Sequence, residues 1–437
     1  MSRAQPFLHE GSTNGVQPKA TAGILAPMSA MDRRLFLERA LGGCALAAGA
    51  GLGPGLPWLE QLLNLGGTAL AAEGLATLLE QAPVARHWVS VNQPDGCSAC
   101  HDHETARPGH EHDLALIKCL LCARECLIAP GGRGMCRARV NVGGELRSLV
   151  YGRPISTHVD PIEKKPFYHF LPGSNAYSLA TSGCPLRCKF CQNWQISQAS
   201  PEDYHSAFIS PQATVRNART RQAPIIAYTY NEPTVFLEYL SDIARAGREQ
   251  GLRSVLISCG YASERAMGEL CDVLDAVKID LKGFSEDFYR RVCDAELAPV
   301  KRSIKQVKAR GLHLELVNLV VPTLNDSEAD LTEMAKWIVG ELGPDVPIHF
   351  TRFHPDYQLQ NLPPTPVETL EHARAIAMDQ GVRYAFVGNV PGHPGNNSYC
   401  PRCGEVVIGR KGFFVTENKL DNGRCGGCAE PIAGVWG

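Results

Sequence analysis

The chain lacks a charge surplus of either sign. Its 43 lysines and arginines stand against 45 aspartates and glutamates, for a net charge of −2. That balance gives no broad positive field to draw nucleic acid or an anionic membrane surface. An unbroken apolar run is missing too. The weakly apolar Ala/Gly/Leu stretch over 40–56 is interrupted at Gly53, Pro54 and Gly55 and followed at once by Pro57, so it makes a poor membrane span. The remaining totals, 44% hydrophobic and 20% charged residues, are those of a globular protein with a sizeable core. A length of 437 residues leaves room for two or three domains.

Cysteine is what the chain has in excess. Seventeen are present, mostly in tight pairs, a pattern of metal ligands more than of disulfides. The 42 glycines and 30 prolines imply many turns. The chain is organised around Ser182-Gly183-Cys184-Pro185-Leu186-Arg187-Cys188-Lys189-Phe190-Cys191-Gln192-Asn193, which follows a strand-like run over 176–181. Zinc sites favour four ligands in paired Cys-x2-Cys steps, and this Cys-x3-Cys-x2-Cys triplet offers three in an uneven spacing. Three thiolates hold three irons of a cubic iron–sulfur cluster, where full protein ligation takes four. One iron is then open to bind and activate another molecule.

From the start of the chain, 1–30 is polar and without periodicity. Asp32-Arg33-Arg34-Leu35-Phe36-Leu37 resembles a twin-arginine export motif, and Ala69-Leu70-Ala71 an A-x-A cleavage site. The competing reading is an amphipathic N-terminal helix and a cytoplasmic protein. Residues 1–71 are assigned to this leader and 72–118 to a Cys/His-rich insert. Within the insert, Cys97-Ser98-Ala99-Cys100-His101, with His103, His110 and His112 after it, fits a c-type haem attachment signal, a loop binding zinc or another soft metal, or a surface insert. Cys119, Cys122, Cys126 and Cys136 form a four-ligand set for zinc or a second cluster, opening a segment over 119–175. A hairpin is expected over 140–151 around Gly143-Gly144.

Strand-like runs then recur at 177–181, 225–228, 254–258, 276–280, 314–321 and 348–353, with a further run at 384–387. Helical patterns separate them, including 235–250 and 326–342, the latter led by Asp326-Ser327-Glu328 as cap material. Six such units fit a parallel partial barrel over 176–390 with ligands at the carboxyl ends of its strands. The tail, 391–437, carries Cys400-x2-Cys403 and Cys425-x2-Cys428, close to the paired knuckles of a zinc ribbon. A structural role for that ribbon is favoured over nucleic-acid contact.

The cluster loop, with Phe190 before its third cysteine, resembles the signature of radical S-adenosylmethionine (SAM) enzymes. Tyr230-Asn231-Glu232-Pro233 stands where that superfamily has Gly-Gly-Glu-Pro. Asp280-Leu281-Lys282 and His354 fall at strand ends, as in glycyl-radical activases such as the pyruvate formate-lyase activase. From Lys118 to the C-terminus the chain is similar to the radical SAM enzymes of the AmmeMemoRadiSam system. The segments that carry this likeness are Asp160-Pro161-Ile162-Glu163-Lys164-Lys165-Pro166, His169-Phe170-Leu171-Pro172-Gly173, Cys191-Gln192-Asn193-Trp194-Gln195-Ile196-Ser197 and Thr351-Arg352-Phe353-His354-Pro355.

The resemblance implies an α/β fold: a partial (β/α)6 barrel of the radical SAM type, with an N-terminal Cys-rich segment and a C-terminal zinc ribbon. Cys184, Cys188 and Cys191 would hold a [4Fe-4S] cluster, and Glu232 would take the ammonium of SAM. Phe190, Ser258, Asp280, Lys282 and His354 would complete the cofactor contacts. The implied partners are an electron donor and a Memo-like protein or another protein substrate. A different class stays open: an exported electron-transfer protein with several iron–sulfur or haem centres, which needs clusters but no cofactor pocket.

Overall fold

Long apolar runs that end in a polar residue set the architecture, because strands buried on both faces read as near-continuous hydrophobic stretches. The computed structural model describes residues 74–91 and 115–437. The Arg33-Arg34 motif, Ala69-Leu70-Ala71 and the 97–112 pattern lie outside the described residues. At the N-terminal side, β1 (Trp88–Ser90), β2 (Ile117–Cys119) and β3 (Leu127–Ile128) form a small antiparallel sheet. The expected hairpin follows as β4 (Arg139–Val142) and β5 (Glu145–Ser148).

The centre is an eight-stranded sheet: β6 (Ser156–Pro161), β7 (Asn175–Ala180), β8 (Ile225–Tyr228), β9 (Arg253–Ser258), β10 (Ala276–Asp280), β11 (His313–Val320), β12 (Ile348–Arg352) and β13 (Ala385–Gly388). The strands lie in sequence order from β13 at one edge to β6 at the other. Only β6 is antiparallel, pairing Ser156 with Ala180 and Pro161 with Asn175. The seven parallel strands match the seven expected runs within two residues at each end. β6 was not foreseen, because Ser156-Thr157-His158 is polar and only partly buried at the sheet edge.

Helices between the parallel strands bury one apolar stripe each. Leu237–Arg248 buries Leu237, Leu240, Ile243 and Ala244, and a short 3-10 turn, Pro233–Phe236, precedes it. In Glu328–Leu342 the cap is Ser327, whose side chain accepts the Asp330 N–H; this satisfies one of the free amides of the first turn. No helix among the described residues is long and apolar enough to cross a membrane.

The tail folds as β14 (Ser398–Tyr399), β15 (Val406–Lys411) and β16 (Phe414–Asn418) in one antiparallel sheet, with β17 (Leu420–Asp421) and β18 (Arg424–Cys425) in another. It shares a core with the central sheet: Cys400, Val407, Ile408 and Ile432 pack with Tyr168, Tyr384 and Phe386. Arg410 of β15 is buried, donating to Ser398 Oγ at 3.0 Å and to the Tyr168 carbonyl at 2.6 Å. Its guanidinium lies 3.7 Å from the buried Glu163 carboxylate.

Candidate functional site

In a parallel sheet the carboxyl ends of the strands gather at one edge, and the loops that follow them build the site. β7 ends at Ala180, and the loop after it carries the cysteine triplet. Hydrogen bonds to its backbone hold this loop from two sides. The Arg187 and Lys189 N–H groups donate to the Cys293 and Val292 carbonyls at 3.0 and 2.9 Å, while Asn231 Nδ2 donates to the Gly183 carbonyl at 2.9 Å. Cys184, Cys188 and Cys191 thereby line one bowl of about 410 Å³, a size suited to a small-molecule ligand (roughly 300–1,000 Å³). Burial pushes the Cys184 thiol well up, with the Glu232 charge adding to it; bound iron favours the thiolate instead.

The bowl also gathers Phe190, Glu232, Ser258, Asp280 and Lys282. Glu232 is 3% exposed. Its Oε1 accepts from the Thr234 N–H and Oγ1 at 3.1 and 2.6 Å and from Ser258 Oγ at 2.8 Å, and its Oε2 accepts from the Cys259 N–H at 2.7 Å. It is at once the cap of the 3-10 turn and a carboxylate on the bowl wall. Asp280 binds both Lys278 and Lys282. Burial raises the Asp280 pKa, but the two ammonium groups overcome it and hold the carboxyl below its usual range. Phe190 stacks on Phe288 with ring centroids 6.2 Å apart, and Lys282 Nζ lies 5.8 Å from the Phe190 centroid. His354 is exposed and is not part of the bowl wall, so the expectation that it joins the cofactor contacts is not met by this geometry.

Four groups on the bowl wall escaped the sequence reading. Tyr230, in place of a glycine, has φ +70°, a left-handed conformation costly for a bulky residue. It is locked there: Tyr230 Oη donates to Asp160 Oδ2 at 2.7 Å, and Lys165 Nζ sits 4.2 Å from the ring centroid. Lys165 also donates to Asp160 at 2.7 Å, and burial draws its pKa down to about 8. Asn231 is buried, and with Nδ2 committed to Gly183 its Oδ1 has no hydrogen-bond partner. Phe413, at the tip of the β15–β16 hairpin, reaches the bowl as well. The Asp160–Lys165 motif was visible in the sequence; its approach to Tyr230 came only with the fold.

The two other cysteine sets differ in spread. Among the described residues, Cys400, Cys403, Cys425 and Cys428 form the one group with ligand atoms all within 4.8 Å of one another. The Cys400–Cys428 and Cys403–Cys425 sulfurs are 3.5 and 3.6 Å apart. Four sulfurs about 2.3 Å from one zinc stand about 3.8 Å apart, so the set is spaced for a single ion. The Cys428 and Gly427 N–H groups stabilise an ionised Cys425, whose pKa falls to about 7. Cys119, Cys122, Cys126 and Cys136 instead surround a separate apolar hollow.

The Radical SAM superfamily profile matches residues 178–338, from β7 into the helix Glu328–Leu342. An uncharacterized protein of Methanocaldococcus jannaschii, MJ0808, is 44% identical over 318 residues, covering 72% of this chain and 95% of that protein. The pyruvate formate-lyase-activating enzyme of Clostridium pasteurianum is 24% identical over 159 residues, 36% of this chain and 66% of the enzyme. Among solved structures, a domain of the pyruvate-formate lyase-activating enzyme of Bacteroides vulgatus aligns with TM-score 0.34 and 18% identity over 37% of this chain and 98% of that domain. The family profile over the cluster loop and the strands behind it, with a near-full-length relative at 44% identity, establishes that the chain belongs to the radical SAM superfamily, which implies a [4Fe-4S] cluster and SAM.

Proposed function

We propose that the chain is an enzyme that cleaves SAM reductively, with Cys184, Cys188 and Cys191 as ligands of the [4Fe-4S] cluster. When bound, cluster and SAM together supply one-electron scission of a carbon–sulfur bond and a 5′-deoxyadenosyl radical. The observation that carries the reading is that three thiols and a buried carboxylate, Glu232, converge on one ligand-sized bowl. The unpartnered Asn231 Oδ1 fits the same reading, since a buried acceptor is left for a ligand donor. Glu232 would accept from the methionine ammonium, a charge-assisted bond. Phe190, Ser258, Asp280 and Lys282 would fix the rest of the molecule, and Phe413 would help to keep water out.

In the same reading the chain acts on a protein, in the manner of an activase, and draws its electron from a low-potential donor. A Memo-like protein is the proposed partner, on the resemblance to the AmmeMemoRadiSam system. Cys400, Cys403, Cys425 and Cys428 hold zinc, and the Arg33-Arg34 leader directs export of the folded protein. The support for these is the sulfur spacing in the first case and the sequence motif in the second.

The test is product formation. The anaerobically reconstituted chain, given dithionite and SAM, should release 5′-deoxyadenosine slowly without a partner and faster with one. Glu232→Ala should weaken SAM binding about ten- to a hundred-fold, the equivalent of about 1.5–3 kcal/mol for a charge-assisted bond, while iron content stays at the wild-type value. If the reduced, cluster-replete protein makes no more 5′-deoxyadenosine than a cluster-free control, the electron-transfer reading takes its place.

A further inference from the structure

Cys119 ends β2, Cys122 and Cys126 follow it in the loop to β3, and Cys136 comes from the loop before β4, yet all four face one internal hollow of about 20 Å³. Leu121, Val235 and Pro185 share its wall. The hollow admits a water-sized sphere. A lone zinc leaves none, because four sulfurs about 2.3 Å from the metal are in mutual contact. The tail shows what the single-ion case looks like in this same molecule, with every sulfur within 4.8 Å of the others. No three of the N-terminal sulfurs are that close; nor are those of Cys184, Cys188 and Cys191. Like the cluster triplet, the quartet is not drawn together around a single ion, and it has one more ligand.

The backbone already holds this spread. The Cys119 N–H donates to the Cys126 carbonyl at 2.9 Å, the Gly134 N–H to the Arg139 carbonyl at 3.1 Å and the Arg137 N–H to the Gly134 carbonyl at 2.8 Å. The Met135 N–H points at Cys126 Sγ at 3.4 Å, and amide bonds to ligand sulfurs are one lever by which proteins set cluster potentials. Arg139, fully buried, is fixed beside the hollow by Glu238 through bonds of 2.6 and 2.8 Å. We propose that these four cysteines hold a second iron–sulfur cluster, of the four-iron type and fully protein-ligated, packed against the loop of the first.

That packing is direct. Pro185, the residue after Cys184, is part of the hollow's wall. Arg124 Nε donates to the Pro185 carbonyl at 2.9 Å, and Arg187 spans the two sites, from the Cys184 carbonyl to the Met135 carbonyl. A centre so placed, closed to ligands by its fourth cysteine, is built to take up and give one electron, not to bind substrate.

The full-length chain carrying Cys184→Ala, Cys188→Ala and Cys191→Ala together tests the assignment. After anaerobic reconstitution with iron and sulfide it should keep about four irons and four sulfides, beside the zinc of the tail. Dithionite should then produce an electron paramagnetic resonance signal that SAM does not change. Adding Cys122→Ser and Cys136→Ser should remove both the iron and the signal. A folded triple variant, by circular dichroism, with two zincs and no iron would overturn the proposal. Should the triple variant not fold, the wild-type chain decides: about eight irons support a second cluster and about four refute it. Because the triple variant has lost the SAM-binding iron, its iron count does not depend on whether the chain cleaves SAM.

Discussion

Gly183 shows how one residue couples two sites. Its φ is +96°, and a Cβ there would lie 2.3 Å from the Cys136 carbonyl oxygen, inside any tolerable contact. The loop of Cys184 and the loop of Cys136 can approach this closely only across a glycine. Gly131 is the natural control: its φ is +74°, and a Cβ there would meet nothing within 4 Å. Gly131→Ala should therefore cost only the left-handed strain, about 1 kcal/mol. Gly183→Ala adds a backbone clash and should cost at least about 2–3 kcal/mol, with loss of iron from the reconstituted protein. Equal melting temperatures and iron contents for the two variants would remove the coupling argument. The residue scale also marks where sequence was informative. A cysteine triplet is legible because its ligands are neighbours in the chain. The lock on Tyr230 is not, since Asp160 and Lys165 stand 70 and 65 positions away and meet it only after β6 pairs with β7.

At the scale of elements, the parallel strands were legible for a plain reason. β8 is buried at every position, and β9 and β10 are nearly so before they end in Ser258 and Asp280, giving apolar runs with polar stops. β6 lacked that signal: its pattern is set by one neighbour, β7, and by solvent on its other side. The tail is a third case. Its cysteine spacing announced a metal knuckle, but nothing in 391–437 announced that Arg410 would be buried against Tyr168 or that Phe413 would reach the bowl. The knuckle is thus the outer end of a shared core, and the zinc proposed for it should matter beyond the tail. Cys403→Ser, at the exposed ligand, should lower zinc from one per chain to near none and leave iron unchanged. With β15 no longer braced, stability should fall by about 2–3 kcal/mol or more, since structural zinc binding energy is folding energy. Metal analysis and calorimetry on the full chain check both; wild-type melting in a zinc-free variant would mean the tail packs without its ion.

For the whole molecule, the seam between sheet and tail is built from buried titratable groups, which makes stability a function of pH. His169 is fully buried. Its Nδ1 faces the Ala433 carbonyl at 2.7 Å, an acceptor, so Nδ1 carries the proton; Nε2 then accepts from Ser398 Oγ at 2.9 Å, while that same oxygen accepts from Arg410. A second proton on His169 would force the Ser398 hydroxyl to turn from donor to acceptor and would set a cation beside Arg410. Burial accordingly draws its pKa down to about 3, against an ordinary value of 6.5. Nearby, burial also lowers His349, which bonds the buried Glu315 carboxylate at 2.6 Å. A histidine whose folded pKa is depressed takes up its proton first in the unfolded chain. Stability is therefore full above about pH 6.5 and falls as pH drops from there toward 3. The ceiling for His169 is about 5 kcal/mol across that window. Glu315, whose carboxyl is held well below its usual range despite burial because His313 and His349 bond it, adds loss only below about pH 4.5. Between pH 7 and 5.5 the two histidines draw stability down as pH falls, opposed by Glu163 at the same seam, whose carboxyl burial holds above its usual range. His169→Gln should flatten it while lowering stability at pH 7, as read from urea unfolding at several pH values. An unchanged slope in that variant would show that His169 is not the group that titrates, and the acid sensitivity of the seam would have to be sought at His349.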